Sequence, residues 1–385
     1  MAPQESDPRL SFQESMDLLE LPSGDSDKGT VKKYMGTRAA WLPGSDLPFL
    51  SGLAGLGKPF AKVKHGAAFG GNVYSQGALA TCRALAEEEE KKGLANNERL
   101  GLHTIHGYFT AVGQIDRPFI YTVSPLSASR TFSTYTVTAH QPAAQSANPS
   151  GDPFPASDAA ALPAGPPCFT AITSFKQPEP HSGGASVAEE SAQSRFSQLL
   201  ASRPARDWPP APPIDIDGVV AMAGADVVGT FPVVDMRKVD MAAHNEGRPL
   251  HERRELLLYR LLKPLPADGT DGWDANAHVL VHAFEADRNG LLMLGNHLGF
   301  GFRFGRAASL SYSFVVHVNV EEAVMRYEDP RWWVQEVSFP RASAGRGVVM
   351  SKIWSPDGVH VATEYQDGLC RTINDGKGEA RAQKL

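Results

Sequence analysis

No stretch of about 18 uninterrupted apolar residues occurs in this chain, so a membrane-spanning helix is excluded. A cationic stretch followed by an apolar run is also missing from the start, where MAPQESDPRLSFQESMDLLEL is acidic; neither a secretory signal nor a mitochondrial presequence is expected. Cysteine is scarce. The three residues Cys82, Cys168 and Cys370 lie far apart with no CxxC spacing, which argues against a disulfide framework and points to a reducing compartment. An excess of positive charge is absent too, with 37 Lys and Arg against 43 Asp and Glu. The cations are dispersed along the sequence, so no nucleic-acid partner is expected.

What the chain does contain is one pattern written twice. Phe69-Gly70-Gly71 opens a helical stretch, followed by GLHTIHGYFTAV (Gly101 to Val112), RPFIYTV (Arg117 to Val123) and SRTFSTYTVTA (Ser129 to Ala139). A second helical stretch containing Asp287 is followed by ASLSYSFVVHV (Ala308 to Val318), RWWVQEV (Arg331 to Val337), GRGVVMSKIWS (Gly345 to Ser355) and HVATEYQDGLCR (His360 to Arg371). Arg117 and Arg130 are matched by Arg331 and Arg346 at nearly equal separation, so a duplicated domain is the economical explanation. A chain of 385 residues can bury two such cores.

In each copy a helix precedes a run of strands, which predicts an α+β architecture of two tandem modules, each with a long helix wrapped by a curved antiparallel sheet. The first helix is expected over Val73 to Lys92, with Val73, Leu79, Cys82, Leu85 and Ala86 on its apolar face, a solvated Glu87 to Glu90 end, and Gly93 as left-handed cap. The N-terminal module takes residues 1–180, interrupted at 141–167 by a Pro-, Ala- and Ser-rich insertion expected to be disordered. A Pro-rich linker at 181–213, with a short helix near Ser194 to Ser202, leads to the C-terminal module, 214–385. In that module a strand is expected over Leu256 to Leu265, and Asp274 is a plausible N-cap for the second helix.

Only the second copy places a carboxylate at the end of its helical apolar face. Asp287 falls about one turn beyond Phe284, and spacing alone leaves two readings: a cap for the Asp287-Arg288-Asn289-Gly290 turn, or a carboxylate held for use. Ser309 begins a strand. Gln366 precedes Asp367-Gly368, an unusual break in a strand that brings backbone close to a ligand. If the three converge, the carboxylate accepts a proton from water, the hydroxyl donates and accepts, and the amide donates to water or a carbonyl. Such a set hydrolyses an activated acyl compound with no metal and no cofactor.

The segments FGGNVYSQGALA (Phe69 to Ala80), HGYF (His106 to Phe109), RPFIYTV, SRTFSTYTVTAHQ, ASLSYSF and GRGVVMSKIWSPDGVHVATEYQDGLCR resemble the acyl-CoA thioesterase II family, in the family's order and over nearly the whole chain outside the insertion and linker. The resemblance implies a double hotdog fold and an acyl-CoA substrate, with the water-holding roles falling on Asp287, Ser309 and Gln366. It also implies substrate contacts at Phe69, Gly70 and Gly71, whose backbone N–H groups would face acyl carbonyl or phosphate groups, and at Gly368. Two departures stand out. Ser311 and Tyr312 replace an Asp-His pair, which bears on substrate range and activity, and Asn72 replaces a Gln.

Other features carry less. Gly52-Leu53-Ala54-Gly55-Leu56-Gly57-Lys58 imitates a phosphate loop, but Pro59 stands at the Ser/Thr position and the stretch reads as an ordinary loop. His278 and His282 have helical spacing without a catalytic Glu between them and read as satisfied helix histidines. The ending Gln383-Lys384-Leu385 departs from a Ser-Lys-Leu peroxisomal signal at its first position, so a peroxisomal address stands beside a cytoplasmic one. Rival functions are a double hotdog acting on an unusual, specialised-metabolite acyl thioester, a hydratase, and a non-catalytic acyl-CoA binder. Monomer and homo-oligomer both remain open.

Overall fold

The computed structural model describes residues 7–373 apart from 27–28, 45–46, 48–66, 96–97, 161–164, 181–186, 225–226, 267–269, 271 and 329–330. The phosphate-loop imitation at Gly52–Lys58 and the tripeptide Gln383–Leu385 lie outside the described residues.

Runs rich in Val, Thr, Tyr and Phe, alternating buried and exposed positions, form the strands. The first six are β1 (Leu18–Ser26), β2 (Gly29–Gly36), β3 (Gly101–Phe109), β4 (Ile120–Ala128), β5 (Phe132–His140) and β6 (Phe169–Lys176). The second six are β7 (Val234–Lys238), β8 (Arg254–Leu261), β9 (Phe304–Val316), β10 (Trp333–Ser343), β11 (Arg346–Trp354) and β12 (His360–Thr372). All join one antiparallel sheet in the order β1-β2-β4-β5-β6-β3-β9-β12-β11-β10-β8-β7. Outward from the centre, adding six to each label of the first half reproduces the second, the topological form of the duplication. The halves meet where β3 pairs β9, from Thr104↔Val315 to Tyr108↔Ser311.

Two helical segments pack together against this sheet. Helix α1 (Gly70–Lys91) is buried on every side from Gly71 to Cys82, as a helix enclosed by sheet and partner helix must be. Its counterpart is broken: α2 (Ala275–Ala286) stops, Asn289 takes a left-handed φ of 63°, and α3 (Gly290–His297) resumes. Together α2 and α3 span about the length of α1, so the second copy has the same helix with a break inserted at Asp287. The two long segments touch through small groups. Ser75 Oγ donates to Leu280 O at 3.4 Å, and a Cβ on Gly71 would stand 2.7 Å from Phe284 O. Tyr74, Phe169, Phe284, Tyr312 and Phe314, all essentially without solvent contact, fill one core shared by both halves.

Several expectations are corrected. Ala86 is exposed, while Glu89 in the supposedly solvated helix end is buried and accepts from Leu100 N at 2.8 Å. As expected, Gly93 takes the left-handed conformation, at φ 69°. The insertion is not disordered over 141–160: Phe154 is buried, its N–H donates to Thr37 O at 2.7 Å, and Gln141 Nε2 donates to Gln114 O at 2.8 Å. One aromatic anchor and a set of backbone bonds hold a segment whose average composition is too polar to predict order; residues 161–164 lie outside the described residues.

The linker also packs where it is described. Ala192 and Trp208 are buried against Leu256, Leu258, Val334 and Trp354, and Arg195 forks onto the carboxylate of Glu336, with Nη1 to Oε1 at 2.7 Å. It is a strap across the outer face of the second half-sheet. The expected helix near Ser194 to Ser202 is two short turns, Ala192–Arg195 and Ser197–Leu200. The hairpin β1–β2 went unread because its strands carry Gly, Pro, Lys and Asp, and the strand expected over Leu256 to Leu265 runs instead from Arg254 to Leu261.

Candidate functional site

Asp274 caps α2, its side chain accepting from Asn276 N. Thirteen residues later Asp287 occupies the opposite cap, with φ −73° and ψ −10°. Its carboxylate makes no hydrogen bond within its own turn. Instead Oδ2 accepts from Gly71 N at 2.6 Å, and Oδ1 accepts from Ser309 Oγ at 3.3 Å and from Gln366 Nε2. The turn is held by other groups: Asn289 Nδ2 donates to Pro212 O at 2.9 Å and Arg288 Nη2 to Ala211 O at 2.8 Å. Of the two readings left open by spacing, the geometry therefore favours a carboxylate aimed away from the turn.

The strands bring the other two residues to it. Within β12, Glu364, Gln366 and Gly368 alternate with Tyr365 and Asp367, and β9 pairs alongside, with Gly368 opposite Ser309 and Gln366 opposite Tyr312. The register shifts between Asp367 and Gly368. Gln366 is buried and its Nε2 also donates to Ser309 Oγ at 2.7 Å, so both amide hydrogens are used on Asp287 and Ser309 rather than on water or substrate. Its Oε1 is buried with no hydrogen-bond partner among the described residues.

Asp287 retains only 8 % of its surface. Burial pushes its pKa from 3.8 up to about 7, against the pull of the Gly71 amide, the Ser309 hydroxyl and the Gln366 amide, which favour the charged form. The N-terminus of α1 points at the carboxylate as well, adding the partial positive charge of its free amides. The result is a carboxylate poised to exchange a proton near neutral pH.

The glycines and Phe69 lie around the carboxylate and its neighbours. A Cβ on Gly70 would lie 2.8 Å from Asp287 Oδ2, and Gly71 spends its N–H on that same oxygen rather than leaving it for an acyl carbonyl or phosphate. Phe69 is buried in an aromatic cluster, 5.3 Å from Phe284 and 5.5 Å from Trp41 between ring centroids. A Cβ on Gly368 would collide with Leu291 Cδ1 at 2.4 Å and Ala308 O at 2.9 Å, so its missing side chain lets α3 pack over the register shift.

Sequence reading missed two further buried acids. Glu285, near Tyr259, and Glu364, near Ser351, have pKa values raised well above 4.5 by burial, and Glu364 also feels the charge of Asp287. Glu364 was accessible to inference, since it lies in phase with Gln366 on the inward face of β12. At the positions of the departing pair, Ser311 is half-buried, whereas Tyr312 is fully buried, its ring 4.2 Å from that of Tyr74 and its hydroxyl donating to Ala283 O at 3.2 Å.

His282 bridges Tyr259 Oη and Ala323 O, each at 2.8 Å, and His278 Nδ1 accepts from Met325 N at 3.2 Å. Both histidines thus have structural partners, and no cluster of metal-ligating side chains occurs among the described residues. No helix among them is long and apolar enough to cross a membrane.

Residues 61–175 match the acyl-CoA thioesterase N-terminal domain family. No curated protein matches the chain. Among solved structures, an acyl-CoA thioesterase II from Mycobacterium marinum aligns with 20% identity over 94% of this chain and 98% of its own, at a TM-score of 0.56. A putative thioesterase II from Thermobifida fusca aligns at 13% identity over 95% of this chain and all of its own, TM-score 0.53. A protein of unknown function with a hot dog fold from Alicyclobacillus acidocaldarius aligns at 14% identity over 94% of this chain and 97% of its own, TM-score 0.51. At these identities the structural likenesses establish the fold, a double hotdog.

Proposed function

We propose that this chain, a double hotdog of the acyl-CoA thioesterase family, is a thioester hydrolase that converts acyl-CoA to a free carboxylic acid and CoA with Asp287 as general base. The observation that carries this reading is the convergence of Gly71 N–H, Ser309 and Gln366 on one buried carboxylate at a break in a helix.

A carboxylate offers about four acceptor positions, and three on Asp287 are filled. The fourth takes the attacking water, whose second hydrogen is accepted by Gln366 Oε1, the buried oxygen otherwise lacking a donor. With both hydrogens held, a water lone pair faces the thioester carbonyl. Attack forms the new C–O bond as Asp287 takes the proton. The tetrahedral intermediate then collapses, the C–S bond breaks, and the proton leaves with the thiol. Ser309 and Gln366 hold the base in place and moderate its pKa, while the N-terminal end of α1 supplies positive potential for charge developing beside it.

A second reading, hydrolysis of an unusual acyl group, is favoured by Tyr312 and Glu364. They place a large ring and a polar group in the interior near the three residues.

The test is thiol release from a series of acyl-CoA esters by the wild type and Asp287→Asn. Release by the wild type and a loss of about 10²- to 10⁴-fold in the variant is expected. Equal rates would overturn the assignment of Asp287, and no release at any chain length would leave a binder in place of an enzyme.

A further inference from the structure

The cations that look dispersed in sequence converge in space. A cleft of about 770 Å³ lies beside the turn that carries Asp287, within the size range of small-molecule sites. Six cationic side chains line it: Arg9 near the start of the described chain, Arg237 on β7, Arg260 and Lys263 at the end of β8, Arg288 immediately after Asp287, and Arg326 before β10. Only Asp7 and Asp235 oppose them in the lining. Glu14, just outside the lining, pairs with Lys263 at 3.0 Å, which leaves a surplus of three positive charges in a chain whose net charge is −6.

The charges are held in place. Arg288 is buried, donates to Ala211 O and Pro212 O, and lies 4.1 Å over the Phe231 ring. Arg260 stands 4.8 Å over the Trp332 ring and shares Asp235 with Arg237. Flat and apolar surface is also at hand, for Tyr327 and Val228 line the cleft with 45% and 62% of their surface exposed. This combination suits a phosphorylated nucleoside: guanidinium groups for phosphates and a ring face for the base.

The cleft is also joined to the candidate site. The Phe231 ring beneath Arg288 stacks on Phe284 at 5.3 Å and meets Phe69 edge-on at 5.7 Å. Phe69 is the N-cap of α1, whose Gly71 binds Asp287. One aromatic layer therefore separates the cationic cleft from the carboxylate.

We propose that this cleft binds the 3′-phosphoadenosine diphosphate end of acyl-CoA, with its thioester end delivered past the Phe231 layer to Asp287. This rests on the acyl-CoA hydrolase reading above.

The test uses the full-length protein, Arg326→Ala, and Arg260→Ala/Arg326→Ala. Binding of adenosine 3′,5′-bisphosphate is measured by calorimetry, and kcat/KM is compared for an acyl-CoA and the matching acyl-pantetheine, which lacks the nucleotide. The exposed Arg326 makes its single variant a safe carrier of the result if the double variant unfolds. The expected result is salt-sensitive bisphosphate binding weakened about tenfold or more by the substitutions, together with a KM for acyl-CoA raised by a similar factor. The wild-type preference for acyl-CoA over acyl-pantetheine should shrink accordingly, and Arg260→Lys should restore part of it.

If bisphosphate binding falls while that preference is unmoved, the cleft takes a free nucleotide and the proposal is overturned. Bisphosphate binding that is absent, or that survives both substitutions, also overturns it. Should no thioester be hydrolysed while CoA binding is lost in the variants, the hydrolase reading fails and the cleft stands as the nucleotide end of a CoA-binding site.

Discussion

Replacing Asp287 by Asn should change stability and catalysis in opposite directions. Burial lifts this carboxyl from 3.8 to about 7. At about 1.36 kcal/mol per unit, keeping it ionised inside the folded chain costs about 4 kcal/mol. Between pH 4 and 7 the folded chain keeps a proton that the unfolded chain releases. This contribution to stability therefore declines as pH rises through that window, and the full cost is present above about pH 7.

Asparagine carries no charge and escapes the cost, but with its oxygen kept toward Gln366 and Ser309 its NH₂ would face the Gly71 N–H, donor against donor. That mismatch costs about 1–2 kcal/mol. The variant should be about 2 kcal/mol more stable than wild type at pH 8 and slightly less stable at pH 4.5. Urea unfolding at several pH values reads both, and thiol release falls by about 10²- to 10⁴-fold over the same range. Parallel stability curves for the two proteins would refute the claim that a carboxylate made costly to ionise by burial sits at this position.

Gly71→Ala should destabilise the chain by about 1–3 kcal/mol in urea unfolding, because its Cβ would meet Phe284 O at 2.7 Å and the Phe69 ring at 2.6 Å. Activity should drop with it, since the same displacement moves the amide that holds Asp287. Gln366→Glu places a second carboxylate on Asp287 and removes a donor. The pair should titrate together, and the alkaline-rising limb of the pH–rate profile should move up by about one unit or more. Tyr312→Phe removes a buried hydroxyl from Ala283 O and should cost about 1–2 kcal/mol of stability while thiol release persists.

The architecture was legible because both copies repeat their strand order around apolar helices. The elements that escaped, such as β1–β2 and the packed insertion, are held by backbone pairing and single anchors like Phe154, which leave little mark on local composition. The candidate site was half legible. Helical phase put Asp287 at the end of an apolar face, and strand phase put Gln366 inward. Spacing could not say where the carboxylate points, because its Gly71 partner is 216 residues away. Nor could dispersed arginines reveal the cleft. Arg9, Arg260 and Arg326 are far apart in sequence and meet only in the folded chain, and the close packing that a Cβ would disturb at Gly71 and Gly368 comes from residues distant in sequence.

The central claim is that water, held by Asp287, attacks the thioester directly. A single turnover with enzyme in excess, run in ¹⁸O-labelled water and quenched rapidly, tests it by mass spectrometry of the acid product and of the peptide containing Asp287. One ¹⁸O in the product acid, none in that peptide, and no mass increase corresponding to an acyl adduct is the predicted result. Label in the Asp287 carboxyl, or an acyl adduct on it, would make Asp287 a nucleophile and contradict the account.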